Sequence, residues 1–375
     1  MSALSGPPSP TAVAFGGPSP EHDVSILTGL QAARALVDAG RDVCCLYWSK
    51  TGDFFRLPPT LEAADFLDGV PRHAGAVRLV VGSGGGFVEA ASRLSRPRPL
   101  ALAAVLVCCH GGPGEDGSLQ AALDLAGVSY SGPGPAAAAL GLDKLAFAGL
   151  AAAAGLPVLP RRLLTTAAAP DFDGPYIVKP RFGGSSLGID VVADAATATA
   201  RLAANPWLAS GAVVEPYRPD LFDVNIAVRT WPTPSLSAIE RPLRTTEAAS
   251  ILGYADKYVG GDGMASAPRQ LPADLPAAVA DGIRAAALAV AELVDLRGVG
   301  RIDFLSDGDT FYLNEVNTIP GSLARYLFVD PPLPFLALLD GLLDEATARP
   351  TYRPTIAGAD GAVLRSAGGI AAKLG

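Results

Sequence analysis

The stretch KPRFGGSSLG, residues 179–188, combines a lysine with glycines and serines in a pattern typical of a phosphate-binding loop. A glycine-rich turn between two strands offers backbone N–H groups to phosphate oxygens. Ser185 and Ser186 would add hydroxyl donors, and Lys179 would add positive charge. The segment therefore predicts a phosphate site, with a structural turn that holds no ligand as the alternative.

The sequence does not support two other functions that glycine-rich motifs can indicate. The sequence has no GxxxxGK[ST] motif and so no P-loop. Residues 184–188 match GxSxG, the nucleophile elbow of hydrolases, but in that chemistry a histidine follows the serine along the chain. His22, His73 and His110 all precede it. The pattern does not favour a serine hydrolase.

Four polar residues lie on two predicted strands near the C-terminus: Arg301, Asp303, Glu315 and Asn317. Residues i and i+2 of a strand share a face. With a three-residue turn at 307–309, position 301 would face 315 and position 303 would face 313, and all four side chains would share one face. Two carboxylates and an amide oxygen suit Mg²⁺, and an arginine beside them could stabilise an oxyanion. A solvated polar strand face is the alternative.

The elements that must position these residues alternate in type along the first part of the chain. Residues 11–15 predict a strand, apolar residues from Ile26 to Val37 recur at helical spacing, and residues 102–112 predict a second buried strand. Alternating β and α units predict an α/β fold with a parallel sheet and with function at the carboxyl ends of its strands.

Composition limits the class of partner. The net charge is −8 without a Lys/Arg cluster, which argues against nucleic acid and against an anionic membrane surface. Asp143 and Lys144 interrupt the longest alanine-rich run, so no membrane span is expected there.

The N-terminus lacks the basic region of a signal peptide, and the four cysteines are expected to be buried free thiols. A cytoplasmic protein is predicted.

Seven motifs, taken in chain order, resemble those of the D-alanine–D-alanine ligase family of ATP-grasp enzymes. They are GGPSPEHDVS, HGGPGEDGSLQ, GLDK, VKPRFGGSSLG, DKY, GRIDF and NEVNTIPG, and they span about residues 11–328. The resemblance implies three α/β domains, expected at residues 1–132, 133–214 and 215–375, with ATP held between the central and C-terminal domains.

The resemblance also implies roles for individual residues. The expected ATP-binding residues are Lys144, Lys179, Ser186, Glu215, Tyr217, Asp223 and Lys257. The expected magnesium ligands, for two ions, are Asp303, Glu315 and Asn317. The expected catalytic residues are Glu21, Ser185, Tyr258, Arg301 and Gly321, the last through its backbone. Glu21 would also bind the ammonium group of the first amino acid, with His110 beside that substrate.

One position departs from the family pattern. Family members place a serine where this sequence has Tyr326, beside Arg325, and that serine binds the carboxylate of the second D-alanine. Tyr326 is therefore the expected contact to the second substrate, whose identity stays open.

The chemistry implied is the activation of an amino-acid carboxylate as an acyl phosphate, followed by attack of a second amino acid's amine to give a dipeptide. Two alternatives remain: an ATP-grasp amide ligase of specialised metabolism with another acceptor, and a non-catalytic ATP-binding homologue. The expected partners are small-molecule amino acids and a second copy of the chain in a homodimer.

Overall fold

The computed structural model describes residues 9–90, 96–243, 268–349, 351–367 and 369. These residues form an α/β fold with four sheets, which confirms the predicted class. Short 3₁₀ segments occur at Ala63–Phe66, Gly112–Gly114, Pro206–Leu208 and Gly321–Leu327. Within the described ranges, no helix combines the length and the apolar character needed to cross a membrane.

The first sheet has the strand order β6-β5-β4-β3-β2-β1-β7. Its strands are β1 (Thr11–Gly16), β2 (Val43–Trp48), β3 (Phe54–Leu57), β4 (Gly75–Val80), β5 (Gly86–Glu89), β6 (Arg98–Pro99) and β7 (Val105–Val107). Strand β1 pairs in parallel with β2 and β7, whereas β2 to β6 pair antiparallel. The prediction of a parallel sheet is therefore wrong beyond β2, because no α-helix lies between β2 and β5 to make a crossover.

Two helices of this part, α1 (His22–Asp38) and α2 (Ser118–Ala126), follow β1 and β7. Helix α1 packs so closely on β1 that a Cβ at Gly29 would collide with the ring of Phe15. This close packing fixes the first turn of α1, and the loop before it, at the carboxyl end of the sheet. The four cysteines are buried and free, as predicted.

The second sheet is antiparallel, with the order β10-β9-β11-β8. Its strands are β8 (Arg162–Leu163), β9 (Tyr176–Pro180), β10 (Asp190–Val192) and β11 (Ala212–Pro216). The predicted strands on either side of the glycine- and serine-rich loop are confirmed as β9 and β10. Helix α5 (Ala195–Ala204) belongs to this part through its buried Ala198.

The third sheet has the order β13-β12-β16-β17, and β14 and β15 form a separate pair. The strands are β12 (Phe222–Arg229), β13 (Ser235–Leu236), β14 (Arg241–Pro242), β15 (Arg269–Gln270), β16 (Val299–Ser306) and β17 (Phe311–Asn317). The remaining helices are α3 (Pro135–Leu142), α4 (Lys144–Ala153), α6 (Ala277–Leu293), α7 (Phe335–Ala348) and α8 (Ala362–Ser366). Helix α4 packs its buried Phe147 and Ala151 into the core of the third sheet. The domain boundaries after residues 132 and 214 stay a prediction.

The hairpin of β16 and β17 exists as predicted, but its register differs. Arg301 lies opposite Asn317 and Asp303 lies opposite Glu315. The turn holds four residues, 307–310, and a bulge leaves Asn314 between the pairs Phe304–Leu313 and Asp303–Glu315. An even-numbered turn alone would put the two carboxylates on opposite faces. The extra residue of the bulge shifts the register by one and brings all four polar side chains to one face.

Candidate active site

A cavity of about 220 Å³ is lined by segments that follow strands of the first sheet, by strands and loops of the second and third sheets, and by the β14–β15 pair. Every described site residue predicted from the sequence lines this cavity, apart from Tyr326. Lys257 and Tyr258 lie outside the described residues. The fold therefore collects the separate motifs around one space.

Glu215 on β11 is the centre of a buried charge cluster. Its carboxylate accepts hydrogen bonds from Arg161 Nε at 2.8 Å and from Lys179 Nζ at 3.1 Å. Burial opposes ionisation of this carboxyl, but the two cations outweigh burial and lower its pKa to about 2. Arg161 was missed in the sequence, where it stands in a short segment between α4 and β8 that matches no motif.

Asn314, the bulged residue of β17, joins the same cluster. Its Oδ1 accepts from Lys179 Nζ and from Arg161 Nη2, each at 3.3 Å. The bulge thus supplies an amide oxygen that orients both cations. The sequence gives no signal for this role, because the position is read as one more residue of a regular strand.

Lys144 begins helix α4 and is buried against the glycine- and serine-rich loop. Its Nζ donates to the carbonyl of Gly183 and lies 3.8 Å from Glu315 Oε2. Burial lowers the pKa of Lys144; Glu315 opposes this effect, and Lys179 adds to it. The preceding Asp143 caps the helix by accepting from two backbone N–H groups at 3.1 Å. The cap fixes where the lysine enters the cavity.

The loop after β9 turns through two serines in left-handed backbone conformations. The φ angles of Ser185 and Ser186 are 55° and 59°, values that are uncommon and costly for residues with a side chain. Ser185 Oγ donates to the carboxylate of Glu21, and a Cβ added at Gly184 would lie 3.2 Å from that carboxylate. The loop is therefore held against the start of α1, with its backbone facing the cavity.

The polar face of the β16–β17 hairpin presents oxygen ligands. Asp303 accepts two hydrogen bonds of 2.7 Å from Arg301 and one of 3.0 Å from Asn317 Nδ2. Across the described ranges, no group of three or more His, Cys, Asp or Glu side chains is arranged around a metal position. Two carboxylates and one amide oxygen nevertheless fit Mg²⁺, which takes its other ligands from water and substrate phosphates.

Part of the cavity lining is apolar. Ile177, Leu221 and Leu305 line the cavity together with Tyr217, just beyond β11, and Asp223 on β12. An apolar slot edged by a few polar groups is the usual environment of a planar heterocycle.

His110 follows β7 and is buried at the edge of the cavity. Its Nδ1 lies 2.8 Å from the carbonyl oxygen of Ile319, and its Nε2 lies 2.9 Å from Thr28 Oγ1. Burial lowers the pKa of His110 to about 4, so the ring is neutral at physiological pH. The nearby Glu115, another residue missed in the sequence, accepts from the N–H of Gly111 at 2.9 Å.

Tyr326 lies behind the cavity wall. Its ring packs under the guanidinium of Arg269, with 4.9 Å between Cζ and the ring centroid. Its buried hydroxyl lies within the electrostatic reach of the Arg301 guanidinium, but makes no hydrogen bond of ordinary geometry to a residue that the structure describes. Arg269 in turn donates to Glu240 at 2.8 Å, and Asn225 donates to the other oxygen of that carboxylate at 3.0 Å. Sequence reasoning missed Arg269 and Glu240, which lie far from Tyr326 along the chain.

Comparison with known proteins identifies relatives over most of the chain. Residues 10–133 match the family model of the D-ala D-ala ligase N-terminus, and residues 139–330 match that of the D-ala D-ala ligase C-terminus. A D-alanine–D-alanine ligase of Methylobacterium sp. is 32% identical over 365 residues, covering 90% of this chain and 91% of that protein. One from Chlorobaculum tepidum is 32% identical over 333 residues, covering 83% and 88%.

Solved structures share the fold. The D-alanine–D-alanine ligase of Helicobacter pylori superposes with a TM-score of 0.70 at 24% identity, over 92% of this chain and all of that one. The D-Ala:D-Ser ligase of Enterococcus faecalis superposes with a TM-score of 0.70 at 24% identity, over 90% and 99%. These likenesses establish the ATP-grasp architecture.

Proposed function

This chain belongs to the D-alanine–D-alanine ligase family, and from that membership and the cavity we propose that it is an ATP-dependent ligase joining two amino acids into a dipeptide. The observation that carries the proposal is the convergence of Lys144, Lys179 and the carboxylate face of the hairpin on one cavity with Glu21. Cations for phosphates, oxygens for magnesium and an acid for an ammonium group are what this chemistry needs.

The nucleotide is proposed to lie along the cavity with its base in the apolar slot and its phosphates toward the lysines. Lys144 and Lys179 would contact phosphate oxygens, and the backbone and hydroxyls of Ser185 and Ser186 would cover the γ-phosphate. The low pKa of Glu215 keeps this carboxylate ionised beside Lys179, so the ion pair holds the lysine side chain in place. Tyr217 and Asp223 are proposed to contact the adenosine part.

Magnesium is proposed to bind at Asp303, Glu315 and Asn317, with two ions shared between these ligands and the phosphates. When bound, it supplies positive charge that offsets the phosphate oxygens. The protein's own part is to hold three oxygens on one face, which the bulged register achieves, and to bring Lys144 within 3.8 Å of Glu315.

Glu21 is proposed to hold the ammonium group of the first amino acid. A carboxylate oxygen of that substrate attacks the γ-phosphorus, the bond to ADP breaks, and an acyl phosphate forms. The amine of the second amino acid then attacks the carbonyl carbon. Arg301 and the N–H of Gly321 would stabilise the resulting oxyanion, and phosphate leaves as the amide forms. Because Tyr326 lies behind the wall, its effect on the second substrate is proposed to pass through Arg269.

Three further expectations remain proposals. The chain is proposed to act in the cytoplasm, where ATP is abundant and buried thiols stay reduced. It is proposed to form a homodimer, and its domains are proposed to divide after residues 132 and 214.

The test is amino-acid-dependent release of phosphate from ATP and Mg²⁺. A panel of D- and L-amino acids, singly and in pairs, is assayed for phosphate, and the products are weighed by mass spectrometry. Phosphate release with one pair and a matching dipeptide mass supports the proposal and names the substrates. Absence of phosphate release with every pair, from a folded protein that binds ATP, would refute it.

A further inference from the structure

Three side chains from the first part of the chain contact the loop that carries Gly321. Thr28 lies in α1, and His110 and Glu115 follow β7. His110 contacts the carbonyl of Ile319 at 2.8 Å, and Glu115 accepts from the N–H of Ile319 at 3.4 Å. Thr28 accepts from the N–H of Ser322 at 3.1 Å. These contacts reach the backbone on both sides of Gly321.

The hydrogen-bond directions in this group are determined by chemistry. A carbonyl oxygen can only accept, so His110 Nδ1 carries a proton and donates to Ile319. In the neutral ring Nε2 must then accept, and the Thr28 hydroxyl donates to it at 2.9 Å. The oxygen of that hydroxyl keeps lone pairs to accept the Ser322 N–H. Each donor therefore has an acceptor, and the Thr28 hydroxyl takes part in two hydrogen bonds, one to His110 and one from Ser322.

The backbone just after Gly321 is strained. Ser322, Leu323 and Ala324 have φ angles of 50°, 51° and 52°, and consecutive left-handed residues that carry a Cβ are costly. Such a conformation persists only where its surroundings fix it. Leu323 and Ala324 are buried, and the Thr28–Ser322 contact fixes the first of the three residues.

We propose that Thr28, His110 and Glu115 form a clamp that positions the Gly321 N–H to meet the oxyanion of the tetrahedral intermediate. They are positioning residues, since they act through the backbone at 319–322. The inference rests on the proposed function, because it assigns the clamp to the second chemical step.

The experiment compares Thr28→Val with Thr28→Ser. Valine keeps the shape of threonine but removes the hydroxyl, which leaves the Ser322 N–H and His110 Nε2 without their partner. Serine keeps the hydroxyl and serves as the matched control. Thermal unfolding of both variants checks that each one folds.

Two readouts distinguish misplacement of the Gly321 N–H from a general loss of enzyme activity. Positional isotope exchange in ¹⁸O-labelled ATP, with the first amino acid alone, reports acyl phosphate formation. Dipeptide formation reports the second step. For Thr28→Val we expect exchange within about twofold of wild type and a dipeptide rate lower by roughly 10- to 100-fold, the usual cost of a small misplacement. Thr28→Ser should retain both.

Hydrogen exchange adds a readout that needs no activity. Peptides covering residues 319–327 should exchange faster in Thr28→Val than in Thr28→Ser. Equal dipeptide rates and equal amide exchange in the two variants would overturn the clamp. An equal loss of isotope exchange and dipeptide would overturn its assignment to the second step. A wild-type protein that makes no dipeptide would instead refute the proposed function, and the clamp's chemical role with it.

Discussion

The two ends of the cavity balance charge differently. At the lysine end, Lys144, Arg161 and Lys179 face two carboxylates, Glu215 and Glu315. At the Gly321 end, each described arginine is matched by its own carboxylate: Arg301 by Asp303 and Arg269 by Glu240. Among these paired groups, the first end has one cation more than it has carboxylates, which suits phosphates, whereas the arginines and carboxylates of the second end balance.

Ligand recognition has a different physical source at each end of the cavity. Excess buried cations are costly unless an anion joins them, so the lysine end is organised for a highly charged ligand. The neutral end gains little from charge alone, and its selectivity must come from shape and from fixed hydrogen bonds. Changes at the first end should therefore affect ATP chemistry, and changes at the second should affect the choice of acceptor.

The largest effect expected is from Glu315→Gln. The charge-neutral amide weakens magnesium binding and removes the partner of Lys144, so phosphate release should fall roughly 1,000-fold without loss of the fold. Steady-state phosphate release and circular dichroism measure the two quantities. Asp309→Asn, an exposed change in the same hairpin, is the control and should behave as wild type. Turnover like wild type in Glu315→Gln would remove this carboxylate from the metal site.

Arg161→Met tests the buried charge cluster through stability. Removing one cation leaves Glu215 with Lys179 alone, and breaking a buried ion pair typically costs about 3–5 kcal/mol. Urea unfolding should show a loss of that size, with a raised KM for ATP. Arg162→Met removes an exposed ion pair with Asp171 and should cost less than about 1 kcal/mol. Equal losses in the two variants would contradict the special role of the cluster.

Tyr326 tests the neutral end. Tyr326→Ser removes the ring under Arg269, so the KM for the second amino acid should rise roughly 10-fold, while the KM for ATP stays within about twofold. Tyr326→Phe keeps the ring and removes only the hydroxyl, which makes no ordinary hydrogen bond to a described residue, so both constants should stay within about twofold of wild type. Tyr352→Ser, in the exposed tail, is the control and should leave both KM values unchanged. If Tyr326→Ser leaves the KM for the second amino acid unchanged, the pocket for that substrate lies elsewhere.

The smallest effect expected is a pH dependence from Glu115. Burial, and next the Glu21 carboxylate, raise its pKa from 4.5 to about 7. The folded protein then binds more protons than the unfolded chain between these values, so the free energy of unfolding falls as pH rises through this window. Glu115→Gln should remove most of that fall, measured by urea unfolding at pH 5 and 7.5. A slope unchanged in Glu115→Gln, as expected for the exposed control Glu292→Gln, would contradict this assignment.

Local motifs were predictable from the sequence, and their distant partners were not. The loop around Ser185 and the hairpin that carries Asp303 and Glu315 follow from short-range spacing. The register that puts both carboxylates on one face depends on a bulge at Asn314, which no periodicity marks. Arg161 and Arg269 are bound to carboxylates 54 and 29 residues away, and such pairs arise only when the sheets pack. The sequence analysis predicted parallel pairing for the whole first sheet, but only β1 pairs in parallel with its neighbours. This prediction was wrong for the same reason, because strand pairing depends on residues far apart in the chain.

Activation of the substrate carboxylate is tested most directly by following its oxygen into the released phosphate. The first amino acid is labelled with ¹⁸O in both carboxylate oxygens, and the phosphate released during dipeptide formation is analysed by mass spectrometry. An acyl phosphate requires one labelled oxygen to leave with each phosphate, so we predict one ¹⁸O in phosphate per dipeptide formed. Unlabelled phosphate accompanying dipeptide formation would contradict activation of the carboxylate by phosphoryl transfer in this cavity.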